Sequence, residues 1–407
     1  MARRKRLMVP LVLAVVVPLA IAASWYAWWV LRPPSIRPPL TATLTLVRFA
    51  DLPGWANADL RPALQAFVRS CGKLSARPAL EPMGASGYAG TAANWQKVCG
   101  AAGHATGSAA GAHSFFEANL LPVEVTSPAQ APLFTGYYEP ELFVSRTRHD
   151  AYQAAIYGLP ANLVTVDLGL FRPELAREKL EGCLDTHTLL PCPARAEIDA
   201  HGLTQAPALF FANDPISAFF LHIQGSGRVR LEDGTMLRVS YAGQNGRPYK
   251  PIGRTLIEHG WLERAGMSMQ AIRAWLKAHP DKARAVMESD PSYVFFREAP
   301  LDNPNLGSVG SEGVPLTPAA SLAIDPHVHS LGLPIYVATM HPNPDSRRPD
   351  QVFDQLLIAQ DTGGAIRGPL RVDFFWGFGE EAAFEAGRMK QAGNLWVLWP
   401  KGATLPQ

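Results

Sequence analysis

The N-terminal stretch sorts its polar and apolar positions into blocks. Arg3-Arg4-Lys5-Arg6 precede an uncharged, largely apolar run over residues 7–31, closed by Arg32-Pro33-Pro34. A helix needs about 20 apolar residues to cross a bilayer core, whereas a cleaved secretory signal has an apolar core of about 7–15. The length predicts a spanning helix, the basic block a cytoplasmic N-terminus, and Trp25-Tyr26-Ala27-Trp28-Trp29 an aromatic belt at the far interface. A competing reading is cleavage after Ala20-Ile21-Ala22, an A-x-A site. Either way, the rest of the chain is expected outside the cytoplasm, led away from the membrane by a proline-rich spacer beginning at Pro33.

Helical spacing follows at Leu60, Leu64, Phe67, Val68 and Cys71, with Asp59 placed to cap and Pro62 in the first turn. Two more short helices are expected near 92–102 and 113–120. From Leu133 the chain turns to short apolar runs separated by glycine, asparagine and proline, the texture of strands. Val229-Arg230-Leu231 and Met236-Leu237-Arg238-Val239 flank Glu232-Asp233-Gly234-Thr235, a hairpin signal. One helix interrupts this region at 268–279, with Met269, Ile272, Trp275 and Leu276 on one face. Strand texture resumes at Tyr293-Val294-Phe295-Phe296 and runs to Leu395-Trp396-Val397-Leu398. The pattern is that of a mainly-β enzyme with helices at its front end.

Composition narrows this little. With 18% charged and 47% hydrophobic residues, 407 residues can bury a large core, and a net charge of +2 gives no reason to expect a nucleic-acid partner. Cys71, Cys99, Cys183 and Cys192 permit two disulfides in an exported chain, most simply Cys71–Cys99 and Cys183–Cys192; four free buried thiols are the other reading. No C-x-x-C occurs and no cysteine lies near a histidine pair, so no metal is expected, and no organic cofactor is indicated. Protein partners are not legible.

Candidate chemistry concentrates in Gln360-Asp361-Thr362-Gly363-Gly364-Ala365-Ile366-Arg367-Gly368 and the strand Arg371-Val372-Asp373-Phe374-Phe375-Trp376-Gly377. Alternation puts Arg371, Asp373 and Phe375 on one face. An aspartate among aromatic rings loses hydration, which raises its pKa and suits it to protonate a glycosidic oxygen. Gly363 and Gly364 let backbone approach a ligand. The same spacing also suits a turn with two hydrogen-bonded aspartates. Thr135, Tyr137 and Tyr138 in Phe134-Thr135-Gly136-Tyr137-Tyr138-Glu139-Pro140 could form a sugar platform or an ordinary strand. In His222-Ile223-Gln224-Gly225-Ser226-Gly227-Arg228, Gln224 and Ser226 are expected to share a strand face and offer hydrogen bonds to sugar groups. His222 is given a structural role.

These motifs, with Ser240-Tyr241-Ala242-Gly243-Gln244-Asn245-Gly246, Pro251-Ile252-Gly253, Met267-Ser268-Met269-Gln270-Ala271-Ile272 and Val314-Pro315-Leu316-Thr317, resemble the membrane-bound lytic murein transglycosylase A family over about residues 130–400. The resemblance implies a double-psi β-barrel from residues 51–140 and 292–407, an inserted β-domain over 141–291, and a groove between them for peptidoglycan glycan strands. Residues 1–32 would be the signal or anchor and 33–50 the linker. It implies cleavage of the β-1,4 bond from N-acetylmuramic acid to N-acetylglucosamine, leaving a 1,6-anhydro ring. Asp373 would be the acid/base and Asp361 its auxiliary. Thr135, Tyr137, Tyr138, Gln224, Ser226, Gly227, Tyr241, Gly363 and Gly364 would bind substrate. Unlike many relatives, the chain has no cysteine before Cys71 to carry a lipid, which favours an inner-membrane helix and a periplasmic catalytic part. Alternatives are an aspartic-type peptidase built on Asp361-Thr362-Gly363, a non-catalytic wall-binding protein, and a true glycosidase using Asp361.

Overall fold

A computed structural model describes residues 42–84, 89–105, 107–175, 178–343 and 348–404. The expected membrane segment at 7–31 and residues 33–41 of the spacer lie outside them. Among the described residues no helix is long and apolar enough to cross a membrane.

The described chain opens with strand β1 (Thr43–Leu46), inside the segment assigned to the linker, because it pairs antiparallel with β2 further on. Helix α1 (Arg61–Leu74) buries Ala63, Leu64, Ala66, Phe67, Ser70, Cys71 and Leu74 on one face. Asp59 does not cap it from the N-cap position, which is Leu60; its carboxylate takes the Arg61 N–H and guanidinium instead. Packing therefore holds this helix. Phe67 meets Trp95, Phe115 and Phe116 from α2 (Ala92–Ala102) and α3 (Ala109–Asn119), and burying each such ring contributes about 1.5–3 kcal/mol. The Cys71–Cys99 disulfide ties α1 to α2.

Next come β2 (Leu120–Thr126) and β3 (Leu133–Glu139), after which Pro140 marks the departure into a second sheet. Its elements are β4 (Glu141–Ser145), β5 (Ala154–Tyr157), the side sheet β6 (Leu163–Asp167), β7 (Lys179–Asp185) and β8 (Thr188–Leu190), then α4 (Arg195–His201), β9 (Ala208–Ala212), α5 (Pro215–Gln224), β10 (Ser226–Leu231) and β11 (Met236–Gln244). Helices α6 (Ile252–Glu258), α7 (Met269–Ala278) and α8 (Pro280–Glu288) precede β12 (Val294–Ala299). The six strands run β12-β11-β10-β4-β9-β5. Because β12 pairs with β11, this unit reaches past residue 291. The second disulfide, Cys183–Cys192, closes the β7–β8 arm.

The chain then returns with β13 (Ser321–Ile324), β14 (Pro334–His341), β15 (Gln351–Thr362), β16 (Arg371–Phe378), helix α9 (Gly379–Arg388), β17 (Lys390–Gln391) and β18 (Asn394–Pro400). These join the early strands in a nine-stranded sheet ordered β1-β2-β18-β14-β15-β13-β16-β3-β17. The protein is mainly β, yet helices also fill the second unit, beyond the single one expected at 268–279. Helix α5 shows why: its residues are apolar nearly all round, since one side packs on the six-stranded sheet and the other on α7 and α8. No amphipathic stripe remains to read. Its ends follow local rules, with Asp214 accepting from the Ile216 N–H and Gly225 closing at φ +78°.

Candidate active site

Strand β13 lies between β15, to which it is parallel, and β16, to which it is antiparallel. Ala323 at its centre stands opposite Asp361 on one side and Asp373 on the other. Thr135 on β3 stands opposite Asp373 in turn. Directly opposed residues project from the same face of a sheet, so the row Asp361, Ala323, Asp373, Thr135 faces one way. Two strand widths, about 10 Å between Cα atoms, separate the two aspartates. Tyr137, two residues beyond Thr135 on the same face, donates its hydroxyl to Asp361 Oδ2 at 2.9 Å. Gly136 between them is obligatory: a Cβ there would lie 2.5 Å from the Trp376 ring.

The row floors a cavity of about 720 Å³. Its other wall comes from the six-stranded sheet, with Ser226, Tyr241, Gln244, Val294 and Arg297. A hairpin loop over residues 307–316 bridges the walls. Its Ser308 N–H donates to Glu139, and Ser311 donates both N–H and Oγ–H to Asp361 Oδ1, each at 3.0 Å. Glu139, at the end of β3, is wholly buried between the guanidinium groups of Arg228 (3.2 Å) and Arg238 (2.9 Å) from β10 and β11. Those arginines also donate to the carbonyl of Leu306. One ionic cluster thus joins the two sheets and the loop.

The carboxylates differ in their partners. Asp361 accepts four hydrogen bonds, from Tyr137, Thr362 and twice from Ser311. Asp373 accepts one, from the Thr135 hydroxyl, with Arg371 alongside. Burial pushes Asp373 above the usual carboxylate range; Arg371 and Thr135 pull it back, and the nearby Asp361 charge adds to the rise. Burial also raises Asp361, against the Ser311, Thr362 and Tyr137 donors. Four donors favour the ionised form, so the surroundings serve a charged Asp361 better than a charged Asp373, which has one. A pH test follows. Arg371→Gln removes a charge that favours ionised Asp373, so the alkaline limb of the activity profile is expected to move to higher pH. Asp361→Asn is expected to move it to lower pH. Movement of both limbs in one direction would contradict the assignment.

Thr135, Tyr137, Gln224, Ser226, Tyr241, Gly363 and Gly364 line this cavity. Tyr138 does not: its ring is 6% exposed and packs on Ala382 and Ala386 of α9. Gly227 also lies outside the lining, beneath Leu221 and Pro140, where a Cβ would clash. Nor do Gln224 and Ser226 share a strand face; Gln224 ends α5 and Ser226 begins β10, and the Gln224 side chain accepts from the Tyr138 N–H. Of the glycine pair only Gly363 is crowded, by Ile366, while a Cβ at Gly364 would meet open space. His222 is buried against Tyr293 and accepts from the Val294 N–H; burial holds it neutral, well below the usual histidine range. Sequence reasoning missed Ser311, which sits in Gly310-Ser311-Glu312-Gly313.

Family models match in two places: the MltA specific insert domain over residues 133–297 and the 3D domain over residues 320–399. Among curated proteins, membrane-bound lytic murein transglycosylase A of Escherichia coli K12 is 33% identical over 270 residues. That match spans 65% of this chain and 65% of the length of the relative. Among solved structures, a membrane-bound lytic murein transglycosylase from Agrobacterium tumefaciens is 34% identical with a TM-score of 0.77, covering 88% of this chain and 98% of that one. Escherichia coli MltA with bound chitohexaose is 26% identical with a TM-score of 0.65, covering 90% and 97%.

Proposed function

We propose, for a chain that belongs to the membrane-bound lytic murein transglycosylase A family, that it cuts peptidoglycan glycan strands at the β-1,4 bond after N-acetylmuramic acid and leaves a 1,6-anhydro end. The observation that carries this reading is the pair of unlike aspartates, on strands either side of β13, that line one cavity of about 720 Å³. Protonated Asp373 gives its proton to the glycosidic oxygen as the C1–O bond breaks and positive charge grows on the sugar ring. The ionised Asp361, fixed by Tyr137, Ser311 and Thr362, faces that charge. The Asp373 carboxylate then takes the proton of the sugar's own C6 hydroxyl, whose oxygen bonds to C1. One group serves as acid and base, and no water is consumed. The bound chitohexaose of the Escherichia coli relative supports a glycan as occupant.

On this reading the strands of the nine-stranded sheet, β1 to β3 and β13 to β18, supply the double-psi barrel, and the chain from 141 through β12 the inserted domain. The protein then works at the periplasmic face of the cell envelope, held by residues 7–31, a placement supported by the basic block before them and by the membrane-bound relatives. A peptidase reading fits poorly, because two aspartates sharing a proton must nearly touch, whereas a strand separates Asp361 from Asp373.

Mass spectrometry of fragments released from purified sacculi tests the proposal. Products lighter by one water than hydrolysed muropeptides are expected. Fragments carrying that water would assign hydrolysis to the same carboxylates, and no release at all would leave a wall-binding protein.

A further inference from the structure

We propose that Glu312 is a positioning residue: in its uncharged form the side chain seats the 307–316 hairpin on β15, which holds Ser311 against Asp361. The proposal rests on the reading of the groove as a glycan-cleaving site. The hairpin is closed by backbone bonds from Gly307 to Leu316, from Leu316 to Ser308 and from Gly310 to Val314. Its tip lies directly on β15. The Glu312 N–H donates to the Gln360 carbonyl at 3.0 Å, and a Cβ at Gly310 would sit 2.5 Å from the same oxygen. Ser311, the neighbour of Glu312, supplies two of the four donors on Asp361.

The Glu312 side chain points away from the groove into the base of the loop, 9% exposed. Oε2 accepts from the Ser70 hydroxyl of α1 at 2.6 Å, and Ser70 accepts in turn from Gln360 at 2.8 Å. Gln360 is fixed further by the Ala66 carbonyl and by Ser321. Oε1 is buried without a hydrogen-bond donor. It faces Gly332, where a Cβ would come within 2.8 Å. The charged groups that face the carboxyl are Lys73 of α1 and Arg77 of the turn after it, and Arg77 is already paired with Glu81 at 3.0 Å. Strand β15 offers it Gln360, and the turn around Gly332 offers no charge.

A carboxylate with one oxygen lacking a donor costs far more to bury than a neutral carboxyl in the same place. Burial accordingly pushes Glu312 up to about 7, against the pull of Ser70, Arg77 and Lys73. As pH rises through that value the side chain ionises and seeks donors that the seated loop does not provide. The displacement acts one residue from Ser311, so Asp361 loses two donors and the developing charge loses its fixed counter-ion.

The test compares Glu312→Gln, neutral at every pH, with the wild-type protein on sacculi. Below neutrality the two are expected to have similar kcat/KM. As pH rises through about 7, the ratio of variant to wild type should climb severalfold, through kcat with KM unchanged. A folded state that retains a proton the unfolded chain has released loses stability as pH rises. The wild type should therefore fall behind Glu312→Gln in thermal stability between the ordinary value of 4.5 and about 7. Ser70→Ala removes a group that favours the carboxylate and should move both midpoints to higher pH. A ratio independent of pH, or midpoints that ignore Ser70, would overturn the proposal. Release of fragments without anhydro ends would instead overturn the reaction assigned to the groove, and the melting comparison would still report on Glu312.

Discussion

Asp373→Asn is expected to lower glycan turnover by about 10²–10⁴-fold, the usual contribution of one general acid/base, while sacculus binding stays near the wild-type level. Asparagine keeps the size of the side chain and an oxygen for the Thr135 hydroxyl, and Arg371 remains beside it. Only the proton is lost, and with it both halves of the proposed reaction, in which the same carboxyl gives a proton to the leaving oxygen and takes one from the C6 hydroxyl. Turnover measured with co-sedimentation on sacculi separates chemistry from affinity. A variant retaining more than a few per cent of wild-type turnover would move the acid/base role elsewhere in the row. Asp361→Asn should be less severe and should alter kcat more than binding, because in the proposed mechanism Asp361 acts on the transition state through its charge.

Glu139→Ala should cost about 3–5 kcal/mol of stability, the range for breaking a buried ion pair by removing one partner. The carboxylate is wholly buried and is met by Arg228, Arg238 and the Ser308 N–H. Its loss leaves two guanidinium groups in the interior without a counter-charge and releases the start of the 307–316 loop. Replacing Glu139, Arg228 and Arg238 together by apolar residues of similar size is expected to cost less than the single change, because no charge is then stranded. Chemical denaturation of the three forms checks the order. Equal losses in all of them would mean that the cluster acts by shape and not by charge.

How far the sequence reveals this architecture depends on how local the determining interaction is. The β10–β11 hairpin follows from Glu232-Asp233-Gly234-Thr235 alone, and α7 from the spacing of Met269, Ile272, Trp275 and Leu276; both occur where the pattern puts them. Both disulfides join the pairs nearest in sequence. The two aspartates stand out because glycines and aromatic residues surround them. Their common row is another matter. It is set by the register of β13 against β15 and β16, and nothing in Ser321-Leu322-Ala323-Ile324 announces that its alanine will separate two carboxylates. Tyr138 misleads for a simple reason. Neighbouring strand residues face opposite ways, so Tyr137 and Tyr138 could not both enter the groove, and only the tertiary fold decides which one does. Glu139 and Glu312 look like surface residues in the sequence, since a charged side chain carries no local sign of burial when its partners lie on other elements.

The bond between Thr135 and Asp373 joins positions 238 residues apart, with the whole six-stranded sheet between them in the chain. That separation has a temporal meaning. A polypeptide that emerges in order contains Tyr137 and every strand of the second sheet before residue 373 exists. The row of carboxylates is complete only once β16 lies between β13 and β3, so the acid/base proposed for Asp373 belongs to the finished fold alone.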